Sequence, residues 1–214
     1  LWQQFTGNAI VGQAMGAQLH FVSSSVVSIK HFREAFPEGR VLSRDTGLKR
    51  KYGRNPYANY DTIGNKPFLY RGKTDPRLQA MERVVSVSFA DVEIAYPLTT
   101  LVEHGVVNDV QAGRRLVVFH VFGASTALGA SKIAQGRDVG GTGVFEATLD
   151  GQKLTFDRDG TRIFDRETET TWNIFGRGVS GELQGKQLIP IVHGDHFWFS
   201  WAAFKPKTIV YQSK

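Results

Sequence analysis

The chain contains no cysteine. Disulfides, thiolate metal sites and cysteine nucleophiles are therefore excluded, and the composition carries no mark of a redox compartment. No apolar run approaches the roughly 20 residues that a membrane-spanning helix requires, so no span is expected. Residues 1–20 lack the basic start and unbroken apolar core of a signal peptide. The chain opens at Leu1-Trp2-Gln3 without a methionine, a start compatible with a targeting segment further upstream. Also missing are a Gly-x-Ser-x-Gly elbow and any zinc-finger, RRM-like or helix-turn-helix pattern, and the glycine-rich loop Gly136–Gly141 is neither a Gly-x-Gly-x-x-Gly turn nor a P-loop. Serine-hydrolase chemistry and nucleic-acid binding are disfavoured accordingly.

What is present is a chain of 214 residues, 41% of them hydrophobic, with a formal net charge of +6. That is enough apolar material for a real core. The basic residues are scattered except at Lys49-Arg50-Lys51 with Arg54. This run reads as a solvated loop, with docking to an acidic surface as the functional alternative.

The two ends of the chain are alike. From Gly7 to Leu42 a constant offset of 169 residues pairs Gly7 with Gly176, Gly12 with Gly181 and Gly16 with Gly185. It also pairs Gln18 with Gln187, Leu19 with Leu188, Pro37 with Pro206 and Val41 with Val210. One residue deleted upstream brings Trp2 onto Trp172 and Phe5 onto Phe175. Such a register implies two copies of one closing segment: a strand around the Trp, glycine turns, a short helix and a final strand. Strand-like sequence precedes Trp172 but not Trp2, so the expectation is a first unit that has lost its N-terminal half. The division is residues 1–44 as the C-terminal part of a first repeat unit, 45–80 as an irregular connector and 81–214 as a complete second unit. The connector's tyrosines and Phe68 argue for order despite its Gly, Pro, Asn and Asp content.

In the second unit Val85, Val87 and Phe89 alternate with Ser86 and Ser88, and Ala90-Asp91 predicts a turn into Val92–Tyr96. Hairpin turns are predicted at Ala112-Gly113, Asp150-Gly151 and Asp159-Gly160. Helical spacing is confined to short pieces near Ser28–Phe36, Thr99–Glu103 and Phe199–Phe204. The fold class is mainly β: two related β-rich units, barrel- or sandwich-like, with short helices.

The phrases AYPL, VVNDVQAGRRLVVF, GRDVGGTGVF, DGQKLTF, FDRETETTWNIFGRGVSGELQGKQL and HGDHFWFSWAAFKPKT, with VLSRDTGLKRKYGRNPYANYD in the connector, resemble domain-of-unknown-function family 3179 of bacteria and archaea. The resemblance covers essentially the whole chain, and Asp165-Arg166-Glu167-Thr168 with Trp172 is its most specific part. It implies an exported or membrane-anchored, extracytoplasmic protein of two related halves with no established activity. Members of the family typically carry Tyr-Cys-Pro-Leu-Cys, the first Cys sometimes selenocysteine, which suggests redox chemistry or soft-metal binding. That motif belongs to the first half, which is expected to be cut short before it; in the second half the comparable stretch is Phe119-His120-Val121-Phe122-Gly123, with His120 in place of the leading cysteine, so cysteine redox chemistry is absent from this chain.

His193-Gly194-Asp195-His196 is the sharpest constellation of candidate side chains. The paired positions in the first copy are Ser24 and Val27, so the shared scaffold does not require histidine there. In a turn, which Gly194-Asp195 favours, histidines three apart can converge on zinc or copper; in a plain strand they would face opposite ways. His120 or His104 would supply a third ligand and Asp195 a partner that orients an imidazole. The bland alternative is a set of histidines satisfied by hydrogen bonds around a loop. The neighbouring Phe197, Trp198, Phe199 and Trp201 read as core packing, with Phe32 at the Trp201 position of the other copy. Asp165 and Glu167 would share one side of a strand and could act as acid and base, although a structural ion pair with Arg166 is the simpler reading. The glycine-rich loop Gly136–Gly141 reads as a turn with Arg137 as a contact for an anion.

The leading expectation is thus a β-domain that binds a metal ion or small polar ligand through His193, His196, His120 and His104. One alternative is an enzyme using Asp165, Glu167 or a histidine on a glycan or other cell-surface substrate. The other is a protein-interaction module.

Overall fold

The computed structural model describes residues 1–89 and 92–213. The Ala90-Asp91 turn lies outside the described residues. In the N-terminal segment two short strands, β1 (Trp2–Gln3) and β2 (Asn8–Ala9), pair with each other, and helix α1 (Ile29–Ala35) follows. Residues 42–82 form turns and bends only, apart from an isolated bridge at Arg54 to Lys132. The chain then builds β3 (Arg83–Phe89), β4 (Val92–Pro97), α2 (Leu98–His104), β5 (Val106–Gln111) and β6 (Arg114–Val121). After a loop come β7 (Gly141–Glu146), β8 (Thr148–Leu149), β9 (Gln152–Lys153), β10 (Phe156–Asp159), β11 (Arg162–Asp165), β12 (Thr171–Trp172) and β13 (Gly178–Ser180). The chain closes with β14 (His193–Phe197), α3 (Trp198–Phe204) and β15 (Ile209–Val210). The fold is mainly β with short helices, as expected, but no sheet among the described residues closes into a barrel.

Three sheets stack around β6. Its neighbours are β5 and β7, both antiparallel to it. Along β6, Val117 and Phe119 face a cluster with Phe156, Ile163 and Trp172 from the sheet β10-β11-β12-β13. Leu116 and Val118 face the other way, against Val85, Val87, Ile94 and Tyr96 from the sheet β14-β3-β4-β15. A strand buried on both faces cannot alternate apolar with polar residues, which is why 116–119, LVVF, is an unbroken apolar run. On the far side of the outer sheet, α3 lays Trp198, Trp201 and Ala202 on Val84 and Ala95.

The turns follow local rules. Ala112 and Gly113, and likewise Asp150 and Gly151, hold both central residues at positive φ, the primed geometry that matches strand twist. The third hairpin turns one residue later than expected, through Gly160 and Thr161.

The N- and C-terminal segments share their backbone detail at the 169-residue offset. Gly7 and Gly176 both have φ of 72°, Gly12 and Gly181 have 102° and 99°, and Gly16 and Gly185 have 89° and 83°. Gln18 Nε2 donates to the carbonyls of Thr6 and Leu19, while Gln187 Nε2 donates to those of Phe175 and Leu188. Leu19 N–H bonds Gly7 O, as Leu188 N–H bonds Gly176 O. α1 and α3 are both seven residues long and begin at offset positions. The segments also exchange contacts: Phe5 packs on Trp201, His196 and Phe204, and Phe175 packs edge-on to Phe36.

The irregular stretch is ordered by one buried acid and an aromatic knot. Asp61 is fully buried and accepts from Thr126 Oγ1 at 2.5 Å, Arg137 Nη1 at 3.0 Å and Arg83 Nη2 at 3.3 Å. Tyr57, Tyr60 and Phe68 pack together, and Tyr60 meets Phe197. In the third sheet, Trp172 Nε1 donates to the buried Asp165 at 2.8 Å. Replacing Trp172 by Phe leaves that carboxylate short of a donor and should cost about 1–3 kcal/mol in urea unfolding. Arg166→Ala, which removes an exposed pair with Asp157, should cost under about 1 kcal/mol; equal losses would contradict this account of the sheet.

Candidate functional site

The histidine pair is placed by strand pairing. β14 runs antiparallel to β3, with His193 opposite Val87, Asp195 opposite Val85 and His196 opposite Val84. The turn expected from Gly194-Asp195 is therefore not formed, because five ladder positions against β3 outweigh local turn preference. With side chains alternating along a strand, His193 and His196 lie on opposite faces. His193 Nδ1 donates to Ile191 O at 2.9 Å, and its Nε2 is 3.5 Å from Ser25 Oγ. On the other face, the Ser86 hydroxyl bridges His196 Nδ1 at 2.8 Å and Gly194 O at 3.1 Å. The His196 ring also stacks on Trp201 and tilts against Phe5.

The other two histidines are elsewhere. His120 continues the row Leu116 and Val118 on β6 and is fully buried. Its Nε2 donates to Val139 O at 3.0 Å, and its Nδ1 has no hydrogen-bond partner among the described residues. His104 ends α2, is exposed, and borders a shallow cavity of about 500 Å³ with Asp109, Arg115 and Tyr211. Among the described residues no three His, Asp or Glu side chains are grouped to hold a metal ion. Asp195 is close enough for its charge to act on both His120 and His196, but its carboxylate accepts from Thr142 Oγ1 at 3.1 Å.

The remaining sequence candidates have structural employment. Arg137, expected to offer an anion contact, spends Nη1 on the Asp61 carboxylate and Nη2 on the Asp61 carbonyl. Asp165 and Glu167 do not share a strand face, since β11 ends at Asp165. Asp165 accepts from Thr168 N and Oγ1 as well as from the Trp172 indole. Glu167 accepts from Thr155 N at 2.7 Å. The ion pair expected at this strand joins Arg166 to Asp157 across the hairpin and leaves Asp165 to neutral donors.

A cleft that sequence reading missed lies where the first segment meets the end of β6. It encloses about 410 Å³ between Val26–His31 and Phe122–Ser125. Its walls are fixed from both sides. Ser28 accepts from the His31 N–H and caps α1. Opposite, Asp138 accepts from Gly123 N through both carboxylate oxygens, at 3.0 and 2.8 Å, and from Gly140 N at 2.9 Å. Val26, Ile29 and Phe122 make the lining largely apolar, while Lys30, His31 and Ser125 add polar groups. The signal available in the sequence was the position of Phe119–Gly123; nothing local to Ser28 or His31 announced that they would face it.

The fold defines a mainly β, layered domain in which segments distant in sequence line the clefts at its surface. The chain belongs to the family described as Protein of unknown function (DUF3179), whose model matches residues 1–208. No curated protein and no solved structure matches it.

Burial holds His120 and His196 below the ordinary histidine pKa. The unfolded chain therefore binds protons at higher pH than the folded one, and stability falls as pH drops below about 6.5, levelling off once the folded-state pKa is passed. For His120 the slope is at most about 1.4 kcal/mol per pH unit. His120→Gln should flatten this dependence in denaturant midpoints measured between pH 7.5 and 5; an unchanged slope would show that His120 does not titrate with folding.

Proposed function

We propose that the protein is a noncatalytic binding domain made of two copies of one closing segment, residues 1–42 and 171–211. Its ligand site is the cleft between Val26–His31 and Phe122–Ser125. The two-copy reading is supported by the matched φ angles and hydrogen bonds of the two segments. The observation that carries the site is the cavity itself, at the end of β6, where one copy's helix entry meets the other unit's central strand. An open, mostly apolar cleft with a few polar groups suits a small organic molecule better than a bare ion. Lys30 and His31 can donate to an anionic or acceptor group, so small carboxylates are the class of choice.

A metal held by His193 and His196 gains no support from side chains on opposite strand faces. An acid–base enzyme built on Asp165 and Glu167 gains none from carboxylates already occupied by backbone, hydroxyl and indole donors.

The test is thermal unfolding of the chain in a panel of aliphatic and aromatic monocarboxylates, with zinc and copper in parallel. At about 100 times Kd a carboxylate should stabilise the fold by about 2.7 kcal/mol. Both His31→Ala and Ser125→Phe should remove the effect. Failure of every carboxylate, or a response that survives Ser125→Phe, would contradict the cleft. Stabilisation by zinc that disappears on replacing His193 and His196 would instead restore the histidine site.

A further inference from the structure

We propose that Asp109 and Tyr211 form a second ligand site, in the cavity beside β5, for a small organic cation: an ammonium group carrying a short alkyl part. The cavity is the one of about 500 Å³ that His104 borders, and it shares no lining residue with the cleft between Val26–His31 and Phe122–Ser125. Its walls come from Val106 to Val110 of β5, from Leu116 of β6 and from Tyr211, Gln212 and Ser213. Tyr211 is held there by its N–H, which donates to Ala95 O at 2.9 Å, and by its ring, which packs on Tyr96 with centroids 5.2 Å apart.

Strand register places the charge. Asp109 stands opposite Leu116 and shares a face of the sheet with Val107, so its carboxylate sits at the margin of the apolar cluster that contains Tyr96. There it accepts from Tyr96 Oη at 2.8 Å, Gln111 Nε2 at 3.0 Å and the Val110 N–H at 2.7 Å. All three donors are neutral, and among the described residues no lysine or arginine forms an ion pair with Asp109. A buried phenol such as Tyr96 needs one acceptor, which a neutral amide would provide at a smaller desolvation cost. The carboxylate adds a charge, and its Oδ1, which takes only the Val110 N–H, keeps capacity for a further donor. Arg115 also lines the cavity, but as the residue before Leu116 on β6 it faces the other side of the sheet, where its Nη2 donates to Leu154 O at 3.3 Å. That geometry turns the guanidinium away from Asp109.

The surroundings select the ligand. Burial, and then the Asp109 charge, raise both Tyr96 and Tyr211 above the ordinary tyrosine pKa, so each remains a neutral hydroxyl. Asp109 is therefore the one negative charge among the described lining residues. A bare divalent ion needs several oxygen ligands, and no three acidic or histidine side chains are grouped to hold one among the described residues. An alkylammonium ion needs less: the carboxylate for its charge, the Tyr211 ring for a cation–π contact, and Val107 and Leu116 for its apolar part.

The experiment is calorimetric titration of the intact chain with butylamine and choline chlorides at constant ionic strength, with sodium butyrate as the anionic match of butylamine. One cation should bind per chain, and butyrate should not bind. Asp109→Asn, which keeps an acceptor for Tyr96, should raise the Kd by roughly tenfold or more. Tyr211→Leu should weaken binding severalfold while Tyr211→Phe, which keeps the ring, should not; this pair carries the test if Asp109→Asn fails to fold. Ser125→Phe, which fills the other cleft, should leave the titration unchanged. The site is overturned if neither cation saturates, if butyrate binds as tightly, if affinity survives both Asp109→Asn and Tyr211→Leu, or if Ser125→Phe removes it. Lys214 lies outside the described residues. Binding that is seen only after Lys214→Met would make the chain's own ammonium the occupant and overturn the proposal as well.

Discussion

The structure depends on one strand that must be covered twice. β6 carries Leu116 and Val118 on one face and Val117 and Phe119 on the other, all fully buried. Each face needs its own apolar lid, so the chain supplies two further sheets and the molecule becomes three layers deep. His120 belongs to the same row as Leu116 and Val118 and shares their burial. Its depressed basicity follows from that position, with desolvation as the leading cause. The same constraint ties the irregular connector down, because Arg83 at the start of β3 needs a counter-charge and Asp61 provides it from 22 residues upstream.

Much of the fold was legible because its signals are local. The three helices follow short apolar spacings, two of the three hairpins turn at the expected residues, and the glycine register between the ends survives as matched backbone angles. The aromatic run was legible for a similar reason, since Trp198 and Trp201 are large enough that burial dominates every other use. The site was less legible because its determinants are distant in sequence. Gly194-Asp195 has turn character, yet the partner that makes it a strand is β3, more than a hundred residues away. Arg137 could be read as a free cation only while Asp61 was unseen, and Ser28 and His31 gain meaning only when folding brings Phe122–Ser125 opposite them.

The two closing segments have the same backbone and different surroundings. Around the C-terminal one, the hairpin β3-β4 converts apolar residues into core and paired edges into sheet. Around the N-terminal one, comparable residues remain at the surface and the flanks of α1 are unpaired. The N-terminal segment is nevertheless anchored, by Phe5 against Trp201 and Phe204 and by Ser23 and Ser25 against Ile191 and His193. That anchoring brings Val26–His31 to the end of β6 and creates the cleft. On the proposed reading, binding capacity arises from how the N-terminal segment leans on the end of β6.

The most direct measurement is residue-resolved amide exchange of the intact chain at neutral pH. Matched hydrogen bonds in the two segments predict that Gly7, Ala9 and Leu19 are protected, as Gly176, Gly178 and Leu188 are, while Ser24–Ser28 exchanges much faster than the paired strand His193–Phe197. Exchange of residues 1–19 at unprotected rates, beside a protected 171–188, would contradict the account of one scaffold present twice.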